Sequence, residues 1–143
     1  MNYPTLENEI QLLTDFQERG GVNDISKINA VLSATDIKAY QKVVREIFIE
    51  PKLIEFIAKL TAKTRYNADL YVGASPRASL ALLTASKALA AIRGRSFVTP
   101  DDITFVAKPV MRHRIILTPE KEMEGVTPND IIDELMKTVE VPR

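Results

Sequence analysis

Gly73-Ala74-Ser75-Pro76-Arg77-Ala78, with the alanine- and leucine-rich run behind it as far as Gly94, is the stretch whose reading decides the fold. Ser75 carries a side-chain oxygen suited to capping the free N–H groups of a first helical turn, and Pro76 fits the first helical position, where no N–H is needed. A helix therefore starts here. It continues without a breaker through Leu80, Leu82, Leu83, Ala85, Leu89 and Ile92, and Gly94 is the residue type that commonly ends a helix in a left-handed turn. Apolar residues cover nearly the whole circumference, which predicts a central, buried helix.

Arg77 does not follow the pattern. A cation in the first turn meets the positive end of the helix dipole, where an acidic residue is preferred. Two readings account for it. One is a surface arginine whose stem lies on the protein and whose guanidinium sits in water. The other is a contact to an anion, because free N–H groups at a helix start and a planar guanidinium fork both suit phosphate oxygens.

Length and composition limit what such a contact could belong to. The 143 residues suit one domain with a real core, and 45% apolar with 27% charged residues is ordinary for a soluble globular protein. No stretch is long and apolar enough for a membrane span, and the absence of cysteine excludes disulfides and thiolate metal sites and is compatible with a cytoplasmic location. With His113 as the only histidine, no metal site built on histidines is expected. Charge is balanced overall but unevenly placed. Residues 59–114 carry ten basic side chains against Asp69, Asp101 and Asp102, a net of +7, whereas residues 119–143 have a net of −4. The basic middle can face phosphates and the acidic tail a basic neighbour; equally, both can be solvated helix faces.

Outward from the central helix, Leu6, Ile10 and Leu13 share one face of an amphipathic helix that ends at Gly20-Gly21. Asn23, Asp24 and Asn29 indicate a loop, and Ser33 to Thr35 cap a second helix carrying Ile37, Tyr40, Val43 and Val44 and ending near Arg45. Ile47-Phe48-Ile49 reads as a short strand, Leu53, Phe56, Ile57 and Leu60 as a third helix from Pro51, and Asp69 to Ser75 as a loop. Thr99-Pro100-Asp101-Asp102 starts a helix with Pro109 inside it, which is expected to kink or shorten it. His113 to Leu117 reads as a second strand that pairs with Ile47 to Ile49, Pro119 to Gly125 as a charged loop, and Thr127-Pro128 as the start of a last helix stopped by Pro142. The expectation is a single mainly α domain over residues 1–143, a helical bundle with a small two-stranded β element.

The chain has no glycine-rich phosphate loop ending in Gly-Lys-Ser or Gly-Lys-Thr, and no apolar run followed by paired acids to hold magnesium. It also has no nucleophile elbow and no His-Glu-x-x-His. Asp101 and Asp102 are adjacent on a helix and point to different sides, so a first-turn role explains both better than a catalytic pair. His113, between Arg112 and Arg114, can touch phosphate or serve a structural role at a strand edge.

Tyr3-Pro4 before a Glu-rich helix, Val72 to Ala78, Ala90 to Gly94, Val98 to Ile103, Val110-Met111-Arg112-His113-Arg114 and the closing Val141-Pro142-Arg143 together resemble the carboxy-terminal lid of MoxR-type AAA+ ATPases, related to the lids of magnesium chelatase ATPase subunits. The resemblance runs over essentially the whole chain. It implies a helical lid over ATP, with Mg2+ and most of the nucleotide held by a preceding α/β core domain that these residues do not include, so that Met1 is expected to be an imposed start. Gly73, Ala74, Ser75, Pro76 and Arg77 are the implied nucleotide-facing residues, and Arg77 matches the sensor-2 arginine that reaches the γ-phosphate. A ring of subunits, usually a hexamer, chaperone-like maturation or metal-cofactor insertion in client complexes, and a partner with a von Willebrand factor A domain are implied as well, with no nucleic acid. The lid alone is expected not to hydrolyse ATP. A long apolar helix, a short strand and Thr99-Pro100-Asp101-Asp102-Ile103 are also the half-motif of histone-fold proteins, so a DNA-binding module or a helical protein-interaction module is the alternative reading.

Overall fold

The computed structural model describes residues 3–22, 25–26 and 28–141, in two compact units, Met1–Asp36 and Ile37–Arg143. The loop signal at Asn23-Asp24 and the stop at Pro142 lie outside the described residues.

In the first unit, α1 (Leu6–Glu18) begins at Thr5, whose hydroxyl accepts from the Asn8 N–H at 3.3 Å, and the chain leaves it through Gly20 and Gly21, both at positive φ. Leu6, Ile10 and Leu13 fall at helical spacing, yet no described residue of this unit is buried. At its end the Ser33 N–H and hydroxyl donate to the Asp36 carboxylate at 2.8 and 2.6 Å, and the Asp36 N–H donates back to the Ser33 hydroxyl at 3.2 Å. This reciprocal cap starts α2 (Ala34–Glu46).

The second unit holds the core. After α2, each of its helices begins with proline at or next to its first position: α3 (Pro51–Arg65), α4 (Pro76–Ile92), α5 (Pro100–Met111), α6 (Pro119–Met123) and α7 (Pro128–Thr138). The proline ring presets the helical φ where no N–H is required, which makes the starts legible in the sequence. Leu53, Phe56, Ile57 and Leu60 of α3, Ile103, Val106, Ala107 and Met111 of α5, and Ile131, Ile132 and Leu135 of α7 form one buried cluster. Each full burial of such a side chain contributes roughly 1.5–3 kcal/mol. Among the described residues, no helix is long and apolar enough to cross a membrane.

Three expectations are corrected. α4 is not buried all round: Ala78, Leu82, Ser86 and Ala90 form its buried face, while Leu80 is 65% and Ile92 82% exposed. Its extensive neighbours are α5 and α3, so one side is enclosed whatever the composition of the other. Second, the strand at the end of α5 is only β2 (Ile116–Leu117), and it pairs antiparallel with β1 (Leu70–Val72), in the segment read as a loop, with Leu70 opposite Leu117 and Val72 opposite Ile116. Phe48 instead forms an isolated parallel bridge with Phe97, donating to the Ser96 carbonyl and accepting from the Val98 N–H, both at 2.9 Å. Segments of two or three residues carry no periodic signature, so packing of the helices selects the partner. Third, the charged loop at Pro119 contains α6, one short turn and a half. Pro109 lies inside α5, as expected, and the helix ends two residues beyond it; its position is exposed.

Candidate functional site

The start of α4 is held from behind by the end of α3. The Thr61 hydroxyl donates to the Ile57 carbonyl at 2.9 Å and the Thr64 hydroxyl to the Thr61 carbonyl at 2.6 Å, so both buried threonines satisfy their hydrogens within α3. The Thr64 oxygen then accepts from the Ala74 N–H at 2.8 Å, and Arg65 Nε donates to the Ala74 carbonyl at 2.9 Å. Both backbone polar groups of Ala74, which belong to the two successive peptide units flanking its Cα, are thereby fixed. Gly73 lies against the same wall: a Cβ there would sit 2.6 Å from the Thr64 carbonyl oxygen and 2.7 Å from Arg65 Cα. Only glycine permits that approach.

Ala74 and Ala78 are fully buried, while Ser75, Pro76 and Arg77 are exposed. Ser75 has the extended backbone of a helix cap (φ −74°, ψ 166°), but its hydroxyl makes no capping bond, contrary to the expectation from the sequence. The turn is closed through the backbone instead, the Ala78 N–H donating to the Ser75 carbonyl at 2.8 Å. This leaves the hydroxyl on the exposed face beside Arg77.

The Arg77 guanidinium makes no hydrogen bond or ion pair with any described residue, and the first turn of α4 contains no acidic side chain. Arg65, Arg93, Arg95 and Arg114, by contrast, each donate to a protein acceptor. A free guanidinium beside a helix start without a local carboxylate fits an anionic group such as a phosphate. Of the five residues singled out from sequence, Gly73 and Ala74 therefore face the protein and set position, and Ser75, Pro76 and Arg77 form the outward face. Among the described residues, no three His, Asp or Glu side chains are gathered as metal ligands. Two clefts, one lined by Lys59, Lys63, Tyr66 and Leu135 and one by Ile37, Tyr40, Val44 and Thr84, include none of residues 73–77.

Asp102 is a structural residue. It is completely buried and takes a two-pronged contact from Arg95, Nη1 to Oδ2 at 2.7 Å and Nη2 to Oδ1 at 2.6 Å, with Arg93 Nη1 adding a third bond at 3.0 Å. The Thr99 N–H and hydroxyl donate to Oδ2 at 2.9 and 3.0 Å. Burial raises the carboxyl pKa, but the Arg95 guanidinium and the Thr99 donors outweigh it and hold the group at about 2. Arg93 also lies over the Phe105 ring, 5.1 Å from its centroid. The network ties the end of α4 to the start of α5. His113 is exposed in the turn after α5, in contact with Arg114.

Thr64 and Arg65 are the residues that sequence reasoning missed. Thr64 falls on the apolar face of α3 and Arg65 at its end, and nothing in a spacing of nine or ten residues ties either to Ala74.

The fold is that of a small helical lid with a two-stranded accessory sheet, and known proteins agree. Residues 62–135 match the family model described as the AAA lid domain. The chain is 33% identical over 142 residues, 99% of its length, to the uncharacterized protein YeaC of Bacillus subtilis (strain 168), covering 43% of that protein. It is 30% identical over 152 residues to the chaperone MoxR1 of Mycobacterium tuberculosis, covering all of this chain and 39% of that one. A crystal structure of a putative ATPase from Cytophaga hutchinsonii superposes over the whole chain with a TM-score of 0.78 at 27% identity, covering 45% of that protein. The chain belongs to the AAA lid domain family, and within it to the lids of MoxR-type AAA+ ATPases. It spans less than half the length of these relatives.

Proposed function

We propose that residues 1–143 are the lid of an ATP-hydrolysing MoxR-type protein and that Arg77 is its sensor-2 arginine, reaching the γ-phosphate of ATP held by a preceding core domain. The observation that carries this reading is the free, exposed guanidinium of Arg77 on a turn whose backbone is fixed by α3. ATP supplies the scissile phosphoanhydride, with Mg2+ held by the core domain. Arg77 adds positive charge where phosphate charge shifts during cleavage, and the buried side of residues 73–78 holds that charge in place. In this reading Ser75 and Pro76 form the nucleotide-facing edge with it, and Gly73 and Ala74 hold that edge from behind. The intact protein works in the cytoplasm as a ring, a hexamer in the usual form, and couples ATP turnover to chaperone-like maturation or metal-cofactor insertion in client complexes, with a von Willebrand factor A domain protein as partner.

The test is Arg77→Ala in the full-length ATPase that carries this lid. Steady-state hydrolysis should fall by roughly 100-fold or more, with no change in thermal midpoint because the side chain is exposed and unpaired. Unchanged turnover in that variant overturns the assignment.

A further inference from the structure

The exposed guanidinium of Arg77 belongs to a turn that would have little reason to stay still on its own. Ser75 contributes no capping bond, and Pro76 has no N–H to give. Beyond the bond from the Ala78 N–H to the Ser75 carbonyl, what holds the turn lies one residue before Ser75, at Ala74, and its anchors are on another helix. Thr64 is the link: its oxygen accepts the Ala74 N–H at 2.8 Å while its hydrogen goes to the Thr61 carbonyl at 2.6 Å, so the hydroxyl can hold Ala74 only in this one orientation. Arg65 Nε donates to the carbonyl of the same residue at 2.9 Å, and Gly73 leaves no gap between the strand-to-helix segment and α3. Only Ser75 and Pro76 separate Ala74 from Arg77, and Ala78, on the next position, is fully buried.

We propose that Thr64, assisted by Arg65, is a positioning residue for the nucleotide contact of Arg77, making the end of α3 and the start of α4 a single rigid piece. Arg77 then meets its phosphate at a geometry set by α3, and any movement that brings Arg77 to the nucleotide carries α3 with it. This rests on the reading of Arg77 given above. Displacement of a charged group by about 1 Å can lower a rate by about 100-fold, so a hydroxyl that touches no ligand can still govern turnover.

The experiment uses the full-length ATPase as wild type, Arg77→Ala, Thr64→Val, Thr64→Ser, Arg65→Met and the Thr64→Val/Arg77→Ala double variant, with ATP turnover and thermal midpoint measured for each. Thr64→Val should lower kcat by roughly 10- to 100-fold, Thr64→Ser should restore most of it, and the double variant should be no slower than Arg77→Ala alone, since Thr64 acts through Arg77. A Thr64 role confined to stability predicts a lowered midpoint and losses that multiply in the double variant, and that result overturns the proposal, as does wild-type turnover in Thr64→Val. If Thr64→Val does not fold, Arg65→Met decides, because that side chain is exposed: reduced kcat that is masked by Arg77→Ala supports the clamp, and full activity overturns it. Failure of the underlying reading shows separately, as normal turnover in Arg77→Ala with Thr64 intact.

Discussion

Arg95 and Asp102 form a forked ion pair, 2.6 and 2.7 Å across its two arms, around a carboxylate with no solvent exposure. The carboxylate also anchors the first turn of α5 through Thr99, so a single side chain joins helix start and helix end. Removing the carboxylate strips Arg95, Arg93 and the Thr99 N–H and hydroxyl of their shared acceptor and leaves a fully buried position unfilled. Asp102→Ala should therefore lower the unfolding free energy by about 3–5 kcal/mol, read from urea titration at neutral pH.

The same pair sets a pH dependence. The Asp102 pKa falls from an ordinary value of 3.8 to about 2 in the folded chain, so the unfolded state binds its proton first as the solution is acidified. Stability from this group is fully present above about pH 4 and is lost as pH falls toward 2, by about 2 kcal/mol. Urea midpoints at pH 5 and pH 2.5 should show the loss, and it should be absent in Asp102→Asn.

Gly73→Ala adds one methyl where two backbone groups of α3 already stand, at 2.6 and 2.7 Å from the new carbon. Backbone cannot swing aside as a flexible side chain would. The variant should lose about 1–3 kcal/mol of stability, measured by thermal or urea unfolding.

Leu82 and Leu80 lie two residues apart on α4 but in opposite environments, one fully buried and one exposed. Leu82→Ala should cost about 2–5 kcal/mol through lost burial and a cavity. Leu80→Ala should change stability by no more than about 0.5 kcal/mol. Equal effects would contradict a helix enclosed on one side.

Much of the fold is legible in the sequence because its helices announce their starts. Pro51, Pro76, Pro100, Pro119 and Pro128 each stand at the opening of a helix, and four of these five openings can be read by eye. Pro119 escapes notice because five residues are too few to show a period. The apolar faces of α3, α5 and α7 follow from helical spacing, whereas that of α4 does not, since a sequence apolar all round does not say which side its neighbours will cover.

Local chemistry in the sequence alone determined where every helix but α6 begins, the misfit of a cation at Arg77, and a glycine at position 73. The tertiary structure decided that Leu70–Val72 rather than Ile47–Ile49 pairs with Ile116–Leu117, that Asp102 is shared by Arg93 and Arg95, and that Ala74 is gripped by Thr64 and Arg65. These are choices among partners distant along the chain. A hydroxyl on the buried face of α3 is compatible with many acceptors and donors, and only when α3 and α4 pack does one peptide unit come within 3 Å of it.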